Sequence, residues 1–378
     1  QTDPHPANLM LPDYSLGQQR SGGTWSELFN TDSIINRFPW LAALLWYICL
    51  ALLGWIVYPL LRFTLPGLAD KGYPLSRTAG MLILAYLVWL AGFAEIPFTR
   101  TTISAVLLLL LITGTYLGYR QNPEIIKDFR SNRRYYLAVE VFFLVFFVAF
   151  LLIRYGNPDL WHPWKGGEKP MDFSYFNAIL KSTVFPPYDP WYAGGYLNYY
   201  YFGFVIAGVL VKWLGIVPSI AYNLLLPTFF SLIAMGGFSI VWNLFQASRK
   251  NQIPNGMHSN LLAYMAAMSG AIGIAVLGNL GIVRMIFQGY QRLVAPEGII
   301  DGAPILTRWV WAIQGFWEVF TGGNLPYSLG DWYWIPSRAI PAPGDVEPIT
   351  EFPFFTVLYG DLHAHLMALP VTLLVITF

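Results

Sequence analysis

The chain has 378 residues, of which 56% are hydrophobic and only 11% charged, and its formal net charge is +1. Soluble domains carry about a quarter charged residues, so a soluble globule is excluded and a polytopic membrane protein is expected. Near-neutrality also excludes nucleic acid as an electrostatic partner, and the lone Cys49, inside an apolar stretch, excludes an intrachain disulfide.

Stretches long enough to cross a hydrocarbon layer of about 30 Å run over residues 40–61, 78–94, 103–119, 136–153, 222–245, 261–283 and 354–378. Arg62, Lys71 and Arg77 come after the first of them, and Arg120, Lys127, Arg130, Arg133 and Arg134 after the third. By the positive-inside rule both connections are cytoplasmic, which puts the loop that starts at Arg154 outside. The run 202–214 is short and contains Lys212, so it is read as interfacial or re-entrant and not as a crossing. Arg249 and Lys250 then fall inside, and the second large loop falls outside. The expected fold is all-α, a transmembrane bundle of about seven spans with short interfacial helices and two large ordered outer loops. Residues 1–135 form an N-terminal region with an outer segment and three spans, and 136–378 form a membrane core with outer loops 154–221 and 287–353. The chain has no initiator Met and ends within the apolar run VTLLVITF, so it reads as a fragment of a longer protein.

The segment 166–201, GGEKPMDFSYFNAILKSTVFPPYDPWYAGGYLNYYY, concentrates charge, proline, glycine and aromatic residues between two apolar stretches. Glu168, Asp172 and Asp189 stand near Lys165, Lys169 and Lys181. Pro186, Pro187 and Pro190 restrict the backbone around them, as an ordered loop that builds a site requires. Asp172 opens the helically spaced FSYFNAIL, where it serves either as a cap or as a general base towards an acceptor hydroxyl. Tyr199, Tyr200 and Tyr201 open the short interfacial run and either anchor it or line a groove.

A second polar group, Asp361, His363 and His365 in YGDLHAHL, stands at the outer entrance of the last apolar stretch. Helical spacing would put Asp361 and His365 on one face and turn His363 away unless the backbone is irregular. A carboxylate and two imidazoles would bind a divalent metal or a lipid phosphate, or would simply be wetted by headgroups. Glu140 lies within the fourth span and needs a polar partner. The 15 Trp and 23 Tyr are read chiefly as interfacial belts, Trp161, Trp164, Trp309, Trp311, Trp332 and Trp334 among them.

GGTW at 22–25, NPDLWHPWKGGEKPMDF at 157–173, FPPYDPWYAGG at 185–195 and EFPFFTVLYGDLHAHLMALP at 351–370 resemble the YYY membrane protein family of prokaryotes, named for a tyrosine triplet like that at 199–201. That resemblance implies a membrane protein but no reaction. The order of features is also similar to the GT-C superfamily of lipid-linked glycosyltransferases: a span, an outer loop with an acidic residue, a juxtamembrane helix, and a proline-containing turn into a span with a basic cytoplasmic end. Here 212–230, with Arg249 and Lys250, stands in the corresponding place. Two departures are that Asp172 lacks the paired acid of many such enzymes and that a long insert separates Ile286 from Glu351.

The GT-C resemblance implies an inverting transfer of a sugar from a polyprenyl-phosphate donor to an acceptor hydroxyl on the outer face of the plasma membrane. Asp172 would be the base and Asp361 the second polar site. Asp361, His363 and His365, with a divalent metal, would hold the phosphate. Glu168, Lys169, Lys181, Asp189, the three tyrosines and Arg338 would contact substrate. The expected partners are membrane lipid and the lipid-linked donor. The alternative is a non-catalytic membrane subunit that docks a partner protein or a lipid through its outer loops. A transporter ranks third, because ionisable residues inside the spans are nearly absent.

Overall fold

A computed structural model describes residues 10–20, 25–161, 167–250, 261–340, 344 and 348–378. Trp164, Lys165, most of the 22–25 motif and the stretch 162–166 lie outside the described residues. Among those described, regular structure is helical, with two isolated bridges, Met10 to Gly195 and Tyr188 to Tyr196. The helices in chain order are α1 Asp13–Arg20, α2 Trp25–Leu28, α3 Ile34–Arg37, α4 Pro39–Thr64, α5 Ser76–Phe93, α6 Arg100–Arg120, α7 Asn122–Ser131, α8 Arg133–Gly156 and α9 Lys169–Lys181. They continue with α10 Tyr201–Leu214, α11 Pro218–Lys250, α12 Leu261–Ile272, α13 Gly281–Val294, α14 Ile305–Phe320, α15 Asp331–Trp334, α16 Pro353–Tyr359 and α17 Ala364–Ile376. The chain divides into two compact units, one of Gln1–Ala271 with Gly360–Phe378, the other of Ile272–Tyr359.

Among the described residues, five helices are long and apolar enough to cross a membrane: Pro39–Thr64, Tyr73–Phe93, Arg100–Arg120, Arg133–Gly156 and Pro218–Arg249. The broken pair Leu261–Leu277 and Gly281–Val294 counts as one more at most, so the structure supports five or six spans where composition suggested seven. The sixth apolar stretch is interrupted at Gly278 and Leu280, both with positive φ, and within this turn Asn279 Oδ1 accepts from the Gly281 amide at 2.8 Å. The seventh is interrupted at Gly360 (φ +86°), and beyond that turn lies the 13-residue α17. A helix of that length covers about 20 Å, short of a full crossing. α10 is a buried 14-residue helix, as short as its sequence indicated.

In the first unit α11 is the axis. Its most apolar window is 89% buried, against 17% for α6, whose surface is mostly uncovered by the rest of the chain. Phe142, Phe146 and Phe150 recur every four residues along α8 and pack on α11, the Phe150 ring lying 3.8 Å from that of Phe230. Small residues permit the remaining close approaches: a Cβ on Gly236 would lie 2.7 Å from Leu373 of α17, and one on Gly114 would strike the Ile56 carbonyl of α4. Polar groups gather toward one end of this unit. Arg62 pairs with Asp128, and the buried Asp70 accepts from Ser239 at 2.6 Å and from the Gly72 amide at 2.9 Å. Glu140 accepts from Tyr73 at 2.7 Å and pairs with Arg77, whose guanidinium also lies 4.3 Å over the Phe143 ring.

The second unit contains the whole stretch 287–353 that its sequence marked as an outer loop, and α14 and α15 lie within it. α13 and α14 pack closely enough that a Cβ on Gly315 would strike the Tyr290 carbonyl. Gln291 accepts two hydrogen bonds from Arg308, and Tyr327 donates to the Met285 carbonyl at 2.7 Å. Ile282, Phe352 and Phe355 form its small core.

Burying Arg77 without Glu140 would leave an uncompensated charge, so Arg77→Met and Glu140→Leu together should be less damaging than Glu140→Leu alone. The single substitution is expected to cost about 3–5 kcal/mol. Thermal unfolding in detergent checks this; equal losses in the two variants would show that the pair does not govern stability.

Candidate functional site

Five segments of the first unit meet near one end of its long helices: the end of α8, the start of α9, the residues just before α10, the start of α11, and the stretch 360–365 that leads into α17. α9 starts there because Pro170 is suited to a first helical turn, and Asp172 lies in that turn, as its sequence position suggested. α8 brings Arg154, which is only 3% exposed. Arg154 donates to Asn223 Oδ1 of α11 at 2.8 Å and to the Asp159 carbonyl at 3.0 Å.

Gly360 has φ +86°, and a Cβ there would lie 2.9 Å from Arg154 Nη1 and 3.4 Å from Lys169 Cδ. Only glycine lets the chain turn over these two cations. Gly360 and the three residues after it lie outside any helix, and the Leu362 amide is satisfied by the Tyr222 hydroxyl of α11 at 2.9 Å. Asp361, buried, is close enough for its charge to act on both Arg154 and Lys169. Burial lowers the affinity of the Lys169 amine for its proton, and the Asp361 carboxylate works against that shift.

The helical-face argument for Asp361 and His365 does not survive, because Asp361 is not in a helix and His363 is the residue before α17. The irregular backbone turns His363 toward His365 instead. Their Nδ1 atoms lie 3.2 Å apart, and His363 Nε2 lies 2.6 Å from Glu168 Oε2. Glu168 is half-exposed, whereas Asp172 is fully buried and accepts from the Tyr200 hydroxyl at 2.8 Å. The Tyr200 phenol is pushed well above its ordinary proton affinity, first by burial and then by the Asp172 charge, so it stays a donor. Its ring lies 6.1 Å from that of His363.

Two acidic motifs far apart in sequence, one around Asp172 and one around Asp361, thus share a cluster with Glu168, Lys169, Tyr200, His363 and His365. The other residues marked from sequence have different surroundings. Asp189 Oδ1 accepts from the amides of Trp191 and Tyr192 and shapes its own turn. Lys181 lies in the last turn of α9, where its charge acts on Lys212. Tyr201 accepts from Trp89 Nε1 at 3.0 Å, and Tyr199 lies against Tyr200, with ring centroids 4.1 Å apart. Arg338 belongs to the second unit, where it stacks 3.9 Å over Trp334. It lines a cavity of about 480 Å³ there with Arg284 and Gln288.

Sequence reasoning missed Arg154, Tyr222 and Asn223 as members of the cluster. The available signal was that each is a polar residue within a turn or two of the end of an apolar helix, where a hydrogen-bonding group has a partner or water to meet.

Residues 83–378 match the model of a family described as uncharacterized membrane protein (DUF2298), and the chain belongs to that family. This agrees with the tyrosine-triplet membrane family that its motifs resemble. No curated protein and no solved structure matches the chain.

Gly360→Ala is expected to destabilise the protein by more than Gly302→Ala. Both have positive φ, but Gly302 faces open space and Gly360 faces Arg154. The φ term alone costs about 1–2 kcal/mol. Thermal unfolding of the two variants side by side tests whether the Arg154 contact adds to it.

Proposed function

We propose that this protein is a membrane-embedded inverting glycosyltransferase that moves a sugar from a polyprenyl-phosphate donor to an acceptor hydroxyl, with the cluster of Arg154, Glu168, Lys169, Asp172 and 360–365 as its centre. The observation that carries the reading is the contact of Glu168 with His363 across 195 residues of sequence. It joins the acidic loop to the second polar segment, which supports the reading taken from the resemblance to GT-C enzymes. The GT-C-like core is assigned to 136–378. Arg120, Lys127, Arg130, Arg133, Arg134 and Arg249 belong to connections at the other ends of the spans. The positive-inside rule therefore favours an extracytoplasmic centre in the plasma membrane.

In this scheme the acceptor oxygen attacks the anomeric carbon while the bond from that carbon to the phosphate oxygen breaks. The hydroxyl proton passes to a carboxylate, and the phosphate leaves with the bonding pair. Glu168 suits the base role better than Asp172, since a base must reach the proton it takes and Asp172 is fully buried. Asp172 instead holds the Tyr200 hydroxyl and fixes that ring beside His363. His363 and His365, both part-buried, face the leaving phosphate. Arg154 and Lys169 beneath them supply a positive field that Asp361 partly balances.

One observation favours a second reading, a docking subunit without catalysis. α14 exposes a row of Leu306, Trp309, Val310, Ile313, Trp317 and Phe320, a surface suited to lipid or to another membrane protein. Copurification of a stoichiometric partner, with no transfer activity in the complex, would support it.

Glu168→Gln should reduce sugar transfer from a polyprenyl-phosphate donor to a soluble alcohol by about 10²- to 10⁴-fold. Tyr200→Phe, which keeps the ring and removes the hydrogen bond to Asp172, should reduce it less. Full activity in Glu168→Gln would sink the assignment of the base, and absence of transfer by the wild type with every donor tried would sink the transferase reading.

A further inference from the structure

We infer that His363 and His365 form a binding site for a divalent cation of the zinc class, with Glu168 holding His363 in the orientation that ligation needs. Two imidazole nitrogens bound to one tetrahedral ion at zinc distances are about 3.3 Å apart, and the Nδ1 atoms here are 3.2 Å apart. The far side of His363 carries the matching feature. Its Nε2 lies 2.6 Å from Glu168 Oε2, so in the tautomer with Nε2–H this group donates to the carboxylate and the Nδ1 lone pair is directed at His365. A carboxylate behind a ligating histidine is the usual way in which tautomer and ring orientation are set at metal sites.

The backbone supports the same geometry. The turn at Gly360 and the extended conformation of His363 (φ −73°, ψ 157°) bring two side chains two residues apart to one point, which a continuous helix would not do. The positive end of α17 disfavours a cation there, and the Glu168 carboxylate offsets that cost. Imidazole donors select zinc, copper, nickel or iron over magnesium and calcium. This replaces the ligand set expected from sequence, since Asp361 is buried beside Arg154 and Lys169 and so belongs to the electrostatic layer below the pair. Two protein nitrogens leave open positions, which suits an ion that also takes a phosphate or water oxygen.

The experiment is Zn²⁺ binding to the full chain purified in detergent and stripped with chelator, read by calorimetry and by X-ray absorption of the bound ion. The expected result is one Zn²⁺ per chain with two imidazole nitrogens in its shell. Binding should be lost in His363→Ala/His365→Ala, kept in His365→Cys, and weakened about 10- to 100-fold in Glu168→Gln. No uptake by the wild type, uptake by the double variant equal to that of the wild type, or a shell without imidazole overturns the inference. Thermal unfolding without metal shows whether each variant is folded, and Glu168→Gln with the absorption spectrum decides if the double variant is not. Because the readout needs no donor lipid, failure here and failure of the transferase reading are separate results.

Discussion

The hydrogen bond from the Leu362 amide to the Tyr222 hydroxyl is the contact on which the rest of the cluster depends. Backbone that leaves a helix within a membrane protein must find partners inside the protein, since lipid offers none. α11 supplies that partner from the first turns of the most buried helix of its unit. With the turn held there, Gly360 lies over Arg154 and Lys169, and His363 falls beside Glu168. A segment that reads as one apolar stretch becomes a polar elbow leading into a short helix.

Burial divides the ionisable residues of the cluster into two kinds. Asp172, Asp361, Arg154 and Lys169 are buried and act through fixed hydrogen bonds and short-range fields. Glu168, His363 and His365 are at least partly exposed, so of these seven they are the ones that solvent reaches. The distinction reverses the weight that sequence alone gives to Asp172. An acid in a first helical turn looks like a base or a cap, and here it is fully buried and accepts the hydrogen bond of Tyr200.

The tyrosine triplet shows the same limit from another side. Three identical residues in sequence take three roles: Tyr200 turns to Asp172, Tyr201 accepts from Trp89, and Tyr199 lies partly exposed beside its neighbour. Consecutive residues entering a helix point about 100° apart, so a run of like residues cannot share one environment. Glu140 is the opposite case. Its need for a partner was legible from its place in an apolar helix, and Tyr73 and Arg77, both from the segment after α4, meet that need.

Local composition was enough to establish a helical membrane protein, the positions of the first five long helices, the short α10, and the acidic and histidine-containing segments that carry polar chemistry. Each of these depends on hydropathy and residue type over windows of about 20 residues, which tertiary contacts do not alter. The breaks in the stretches at 261–283 and 354–378 were decided only by the tertiary structure, since a break needs partners such as Tyr222 that lie far away in sequence. The same holds for the place of Arg154 in the cluster, the burial of Asp172 and the meeting of Glu168 with His363, because burial and pairing are set by which helices pack together.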